Sequence, residues 1–407
     1  MKYIRRNLED IIKRVSKEYP VVLLTGPRQV GKTTMLQRLM EGTDRKYVTL
    51  DDLAERDMAK NDPEMFLQLH KPPVLIDEVQ YAPELFTYIK IYADQHKEPG
   101  AVWMTGSQIF KLMRGVQESL AGRVAVLNMT TLSQAEISGA DMEPFTVDLN
   151  ELKKRALHRN AADVHEIFNR IYTGSMPAVV SGINSDKRIF YSSYISTYLE
   201  HDVRDLNETI DALKFMRFLT AAAARCSQML NVADIARDAD INEKQVKDWL
   251  NILETLGIIF YLHPYSNNSL KRLVKTPKLY FYDTGLVCYL TRWSSAETAE
   301  YGAMNGALLE DYVVSELRKT YLNCGLEPYM YYYRDKDAKE IDVILEHDGV
   351  LDTIEIKKTA TPGHELVRVF DILNKSSVPR GKGAVICMKP QLGAIDRLNY
   401  IVPVWMI

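Results

Sequence analysis

The 407-residue sequence contains only four cysteines, Cys226, Cys288, Cys324 and Cys387, and no two of them form a CxxC pair. That spacing argues against a disulfide framework or a cysteine-ligated zinc site and fits free thiols in a reducing compartment, so the expected location is cytoplasmic. Long apolar runs are also missing. Runs such as 257–262 fall far short of the ~20 residues that a membrane-crossing helix needs, so no membrane partner is expected. Neither sign of charge dominates: 51 Lys and Arg stand against 54 Asp and Glu, a net charge of −3. A global basic surface for nucleic acid is thereby excluded, and any polyanion must be held by a local patch. No low-complexity tract or internal repeat is visible, which removes the disordered, fibrous and solenoid classes.

What is present is an ordinary globular composition, 46% hydrophobic and 26% charged, in a chain long enough for two or three domains of roughly 150 residues. Residues 1–15 place Arg5, Arg6, Lys13 and Arg14 among Ile4, Leu8, Ile11, Ile12 and Val15 at helical spacing, which predicts one amphipathic helix. The first third alternates short apolar runs at 21–25, 46–50, 74–77, 101–105 and 124–129 with helical patterns, the mark of βαβ units around a parallel sheet. From 151 to 230 the periodicity is helical, with a break at Gly174 and Pro177. Residues 231–261 have the spacing of a helix-turn-helix, and strand-like runs at 258–262 and 278–282 would form a wing behind it. The last hundred residues read as a helix at 306–321, strands at 329–334, 340–345 and 353–357, a helix near 365–373, and strands at 384–388 and 401–405.

Gly26-Pro27-Arg28-Gln29-Val30-Gly31-Lys32-Thr33, followed by Thr34, matches GxxxxGK[ST] and lies between a predicted strand and a predicted helix. Glycines let backbone N–H groups wrap phosphates, Lys32 supplies a point charge to the β/γ oxygens, and the Thr33 hydroxyl ligates Mg²⁺. The strand at 74–77 ends in Asp77-Glu78, where Asp77 would hold the Mg²⁺ shell and Glu78 polarise the attacking water. The next strand ends in Thr105-Gly106-Ser107-Gln108, and Ser107 or Thr105 would sense the γ-phosphate. The cofactors expected are ATP and Mg; no NKxD-like guanine-reading segment is visible, which favours ATP over GTP.

GPRQVGKTT, LIDEVQ, MTGSQ and Ser119-Leu120-Ala121-Gly122-Arg123, in this order, resemble the AAA-type P-loop ATPases of bacteria and archaea that carry an uncharacterised C-terminal domain. Further matches are the stretch 194–203, with His201 where the family often has a basic residue, and KLYFYDTGL at 278–286. The resemblance implies ATP binding and hydrolysis. It also offers Arg123 as a group that reaches a γ-phosphate in its own subunit or, in a homo-oligomer, in a neighbour's; the alternative is a surface salt bridge.

Near the C-terminus, Glu310 lies on an apolar, small-residue helix face, Glu340 and Asp342 share one face of a strand, and Glu355 and Lys357 share one face of the next. Carboxylates and a lysine so placed can bind a divalent cation and position a water for phosphodiester attack, which makes Glu310, Asp342 and Glu355, with Lys357, a candidate second metal site. The order resembles the PD-(D/E)xK nuclease fold; the alternative is a solvated strand face with cross-strand Glu–Lys pairs. In the helix-turn-helix segment, Lys244 and Lys247 are offset by Glu243, Asp248 and Glu254. The wing carries Lys271, Arg272, Lys275 and Lys278 without an acid, enough for a few phosphate contacts to DNA or RNA. The alternative is that this module packs against the ATPase as a lid or protein contact.

The expected architecture is therefore α/β: an AAA-type P-loop αβα ATPase domain (1–150), a helical region (151–230), a winged-helix-like module (231–300) and a restriction-endonuclease-like domain (301–407). The function expected is ATP binding and hydrolysis coupled to nucleic-acid binding or processing. The rival is a nucleotide-dependent signalling or scaffold protein whose inactive nuclease-like domain binds protein partners.

Overall fold

In a computed structural model, residues 3–107, 119–140, 143–184, 186–199, 211–266 and 276–407 are described. Gln108, His201, Lys271, Arg272 and Lys275 lie outside them. Strands β1 (Val21–Thr25), β2 (Lys46–Thr49), β3 (Val74–Asp77), β4 (Val102–Gly106) and β5 (Val124–Asn128) form a parallel sheet in the order β2-β3-β4-β1-β5. Each of β1, β3 and β4 is buried along its whole length, as a sheet covered on both faces requires. Val21 and Leu23 point into one core with Phe66, Phe86 and Ile89, while Val22 and Leu24 point into the other with Leu8, Ile12, Met35 and Leu36. Helices Pro63–Leu69 and Leu85–His96 thus cover one face, and Leu8–Val15 and Lys32–Met40 the other.

The N-terminal helix is shorter than expected. It begins at Leu8, and Arg6 is buried rather than solvated. Its guanidinium donates to the Val30 carbonyl at 2.9 Å and the Thr130 carbonyl at 2.8 Å and pairs with Glu136 at 2.9 Å, so one arginine braces the phosphate loop against the strand exit beside it.

The second half is built on a mixed nine-stranded sheet, β13-β14-β12-β11-β10-β9-β7-β8-β6. These are β6 (Gln228–Met229), β7 (Ile259–Pro264), β8 (Lys278–Phe281), β9 (Met330–Arg334), β10 (Glu340–His347), β11 (Val350–Lys357), β12 (Arg380–Cys387), β13 (Gly393–Ala394) and β14 (Asn399–Pro403). Helices Val232–Ala239 and Glu243–Thr255 precede β7, with Trp249 of the second packed edge-on against Phe215 and Phe218. The β7–β8 hairpin is not a free wing: β7 also pairs in parallel with β9 through His263 and Pro264. The sheet therefore runs across residue 300, where the sequence places a boundary.

The expected helix near 365–373 is instead two 3₁₀ segments, His364–Leu366 and Arg368–Lys375. Its buried residues Val367, Phe370 and Leu373 recur every three positions, and a three-residue turn puts all of them on one face. The long helix Asn305–Leu322 lies between the sheet and the ATPase-like domain and is buried on several sides. Lys319, 1% exposed, donates to the Leu132 carbonyl at 3.1 Å, and Glu316 accepts from the Gln134 N–H at 2.8 Å.

Candidate nucleotide site

After β1 the chain turns through three left-handed positions, Gly26 (φ +139°), Gln29 (φ +62°) and Gly31 (φ +93°), before the Lys32–Met40 helix starts. Glycine is required at Gly26, because a Cβ there would lie 2.0 Å from the Met129 carbonyl oxygen. Left-handed turns leading into a helix N-terminus build an anion-binding backbone nest. Lys32 is buried beneath it, its Nζ donating to the carbonyls of Gly26 at 2.9 Å and Pro27 at 2.8 Å.

The acidic strand tip faces this loop. The Thr33 hydroxyl donates to Asp77 Oδ1 at 2.8 Å, the Thr105 hydroxyl donates to the same oxygen, and the Tyr47 hydroxyl donates to Oδ2 at 3.0 Å. Burial, and then the Asp77 carboxylate, push the Tyr47 phenol up to about 12, so it remains a donor. Glu78 takes a left-handed φ of +55°, a strained choice for a residue with a side chain. Its N–H donates to Thr105 Oγ1 at 3.2 Å, and its Oε2 accepts from Ser107 Oγ at 3.3 Å and from the Gln80 amide. Lys32, Thr33, Asp77, Glu78, Thr105 and Ser107 thus belong to one cluster at the carboxyl ends of neighbouring strands. Tyr47 and Gln80 carry little signal in the sequence beyond the place of Gln80 two positions after Glu78 in LIDEVQ.

The oxygens of Thr33 and Asp77, in direct contact, are the hard donor pair that suits Mg²⁺. A cleft of about 250 Å³ opens beside the loop, lined by Gln29, Gly31 and Thr34 on one side and by Tyr3, Ile4 and Ala178 among others around it.

Arg123 is not part of this cluster. Its carbonyl accepts from the N–H of Val21 at the start of β1, whereas the phosphate loop leaves the far end of the same parallel strand. Reach to the γ-phosphate within one subunit is thereby overturned. The guanidinium instead forms two bonds to Asp94, at 2.5 and 3.0 Å, which is the salt bridge left open as the alternative.

Residues 18–138 match the sequence pattern of the AAA domain, and 164–297 and 305–407 match two domains of unknown function, DUF8612 and DUF4143. Over 362 residues the chain is 31% identical to Rv2008c of Mycobacterium tuberculosis and to Mb2031c of Mycobacterium bovis, covering 88% of this chain and 75% of each relative. The chain belongs to their family. Among solved structures it is similar to the Walker-type ATPase PABY2304 of Pyrococcus abyssi, with a TM-score of 0.42 and 15% identity over 71% of this chain and 96% of that one. The first third is an AAA-type P-loop ATPase domain.

In the DUF4143 region the expected second metal site takes a different form. The strands and the helix do bring Glu310, Glu340, Asp342 and Glu355 into one neighbourhood, but lysines fill it. Lys278, 3% exposed at the start of β8, lies 2.8 Å from Glu310, 2.5 Å from Glu340 and 4.0 Å from Asp342. Lys357 lies 2.7 Å from Glu355 and 3.4 Å from Asp342, which also accepts the Ile356 N–H at 2.8 Å. Burial alone would lower the Lys278 ammonium, yet Glu310, Asp342 and Glu340 together hold it well above the usual lysine value. Burial, and then the Asp342 carboxylate, push Glu355 up to about 8. Among the described residues no group of three ligating side chains is arranged to hold a metal. The metal role expected for Glu310, Asp342 and Glu355 is corrected accordingly: an internal ammonium supplies the charge a cation would bring.

No helix among the described residues is long and apolar enough to cross a membrane.

Proposed function

We propose that the chain binds ATP with Mg²⁺, hydrolyses it, and uses the nucleotide state of its phosphate loop to control a hold on nucleic acid. The cluster joining Lys32, Thr33, Asp77, Glu78 and Thr105 carries the first two steps. Thr33 and Asp77 would hold Mg²⁺, which would supply positive charge against the phosphates, while Lys32 exchanges the loop carbonyls for phosphate oxygens. Glu78, its carboxylate oriented by Ser107 and Gln80, accepts a proton from the attacking water. The cleft beside Tyr3, Ile4 and Ala178 takes the adenine and ribose.

Coupling rests on contacts between the loop and the second half of the chain. Gly257, at the turn into β7, lies so close to Pro27 of the phosphate loop that a Cβ would sit 3.0 Å from the proline ring. Thr131, just past β5, donates to the Tyr282 carbonyl at 3.1 Å. A loop that tightens on phosphate therefore pushes on the helix-turn-helix segment, which we read as winged-helix-like.

The second reading, a nucleotide-dependent scaffold with an inert nuclease-like domain, is favoured by Lys278 filling the carboxylate cluster and by the exposed face of the Glu243–Thr255 helix, where Glu243 and Asp248 balance Lys244 and Lys247. Phosphate release titrated with DNA or RNA at several salt concentrations separates the two. Salt-sensitive stimulation supports coupling to nucleic acid, and its absence leaves the scaffold reading.

A further inference from the structure

A cleft of about 480 Å³ opens among the helices Val164–Thr173, Lys187–Tyr194, Ala212–Ala223 and Thr284–Leu290. Its size is that of a ligand pocket, within the roughly 300–1,000 Å³ such sites occupy. The half-buried rings of Tyr172, Tyr289 and Trp293 line it, together with the cations Lys187, Arg188 and Arg292, and among the described residues none of those lining it is acidic. This is unlike the cleft beside the Leu149–His158 helix, where Glu143 and Glu151 face Lys154 and Arg155.

Of the three cations, Arg188 alone is in an ion pair among the described residues. Lys187 rests 3.6 Å from the centre of the Tyr172 ring, and its ammonium donates to the Tyr172 carbonyl at 3.4 Å. Burial draws its pKa below the ordinary lysine value. Neither Lys187 nor Arg292 makes an ion pair among the described residues, and Arg188, at the rim, is 3.7 Å from Asp186. Arg292 follows the Thr284–Leu290 helix at φ +62°, where the Trp293 N–H returns to the Cys288 carbonyl at 3.0 Å. That is the helix-ending position glycine normally takes. An arginine kept in a glycine's conformation, with its charge at a cation-lined cleft, is the kind of local strain that accompanies binding sites.

We propose that this cleft binds a segment of single-stranded nucleic acid, an unpaired base entering among Tyr172, Tyr289 and Trp293 while Lys187, Arg188 and Arg292 meet the flanking phosphates. Aromatic faces beside cations are how unpaired strands are held without sequence readout. A duplex is a poorer fit, because its bases are stacked inside and its grooves are read by a protruding helix or ribbon rather than a concave pocket. The site lies in the DUF8612 region and shares no lining residue with the carboxylate cluster. It deepens the proposed coupling to nucleic acid and rests on that reading for its purpose, though not for its binding chemistry. Tyr191 links the two. It forms part of the cleft wall, and its hydroxyl donates to the buried Asp283, which with Pro27 lines a small cavity behind the phosphate loop.

The test is fluorescence anisotropy of a labelled oligothymidine and oligouridine of about 12 nucleotides, a length within known single-strand site sizes, with the full chain and no nucleotide present. Binding should weaken with salt at a slope near −0.7 for each phosphate contact, roughly −2 for three cations. Arg292→Gly should relieve the left-handed backbone and keep or raise the melting temperature while weakening the strand several-fold and flattening the slope by about 0.7. Lys187→Gln should act likewise, and Tyr289→Leu should weaken binding roughly five-fold or more without changing the slope, as loss of stacking does. The proposal is overturned if the parent protein does not bind at low salt, if Arg292→Gly and Lys187→Gln bind like the parent, or if heparin or duplex DNA of equal length binds as tightly as the single strand. A fluorescent ATP analogue, titrated separately, reports on the nucleotide site, so loss of that reading and loss of this one are told apart.

Discussion

Lys278 and Glu310 meet at 2.8 Å across 32 residues of chain, one on β8 and the other on the Asn305–Leu322 helix. The contact joins the hairpin that follows Gly257 to the C-terminal strands, because the same ammonium reaches Glu340 at 2.5 Å. Removing it leaves the buried Glu310 carboxylate near Asp342 without its ammonium partner, while Glu340 keeps Arg334 and Asp342 keeps Lys357. Lys278→Met should therefore destabilise the protein strongly, on the order of 3–5 kcal/mol, as breaking one side of a buried ion pair does. Adding Glu310→Leu should recover part of that loss. Denaturation midpoints of the parent, single and double variants check this, and a Lys278→Met protein as stable as the parent would remove the clamp.

At the nucleotide site, Lys32 and Glu78 have different work. Lys32→Ala should abolish most ATP binding, because the loop loses its point charge. Glu78→Gln should bind ATP as the parent does but slow hydrolysis by orders of magnitude, since it affects only the water. Fluorescent-nucleotide titration beside phosphate release decides the matter; equal hydrolysis by Glu78→Gln and the parent would take Glu78 out of the mechanism.

The nucleotide cluster was legible because each part is local. A glycine loop stands between an apolar run and a helix, and an acid pair ends a strand; both patterns span fewer than ten residues. The five strands of the parallel sheet were legible for the same reason. Lys278 was not. The sequence groups it with Lys271, Arg272 and Lys275 as a wing cation for phosphate contacts, but it is 3% exposed and paired inward, and its partners Glu310 and Glu340 become neighbours only when β7 pairs with both β8 and β9. Arg6 is hidden in the same way: two adjacent arginines beside an amphipathic repeat look like a polar helix face, yet Arg6 sits just before the helix and turns inward to carbonyls that belong to Val30 and Thr130.

Arg123 offers a test of geometry over resemblance. Its bidentate contact to Asp94 is exposed and lies at the end of the sheet opposite the phosphate loop. Such pairs add little stability. Arg123→Ala should leave both the melting temperature and the ATPase rate close to those of the parent. A large drop in rate that recovers on mixing with Glu78→Gln protein would instead show that Arg123 completes a neighbouring subunit's site.

The last prediction concerns pH. Glu355 is held at about 8 in the folded protein against an ordinary value of 4.5, because burial and the nearby Asp342 carboxylate disfavour its charged form more than Lys357 favours it. Between those two values the folded state keeps a proton that the unfolded chain has released. This contribution to stability is complete below about 4.5 and is lost as pH rises through about 8, at up to ~1.4 kcal/mol per pH unit. Glu355→Gln cannot titrate, so its stability relative to the parent should climb steadily from about pH 5 to pH 8 and level off above that. Lys357 loses a charged partner only at the alkaline end, where the parent carboxylate would have ionised. Thermal or urea midpoints of the two proteins across this range measure the difference directly. Parallel curves would mean that Glu355 is already ionised at pH 5, paired with Lys357, and that the cluster carries one more negative charge at neutral pH than the geometry implies.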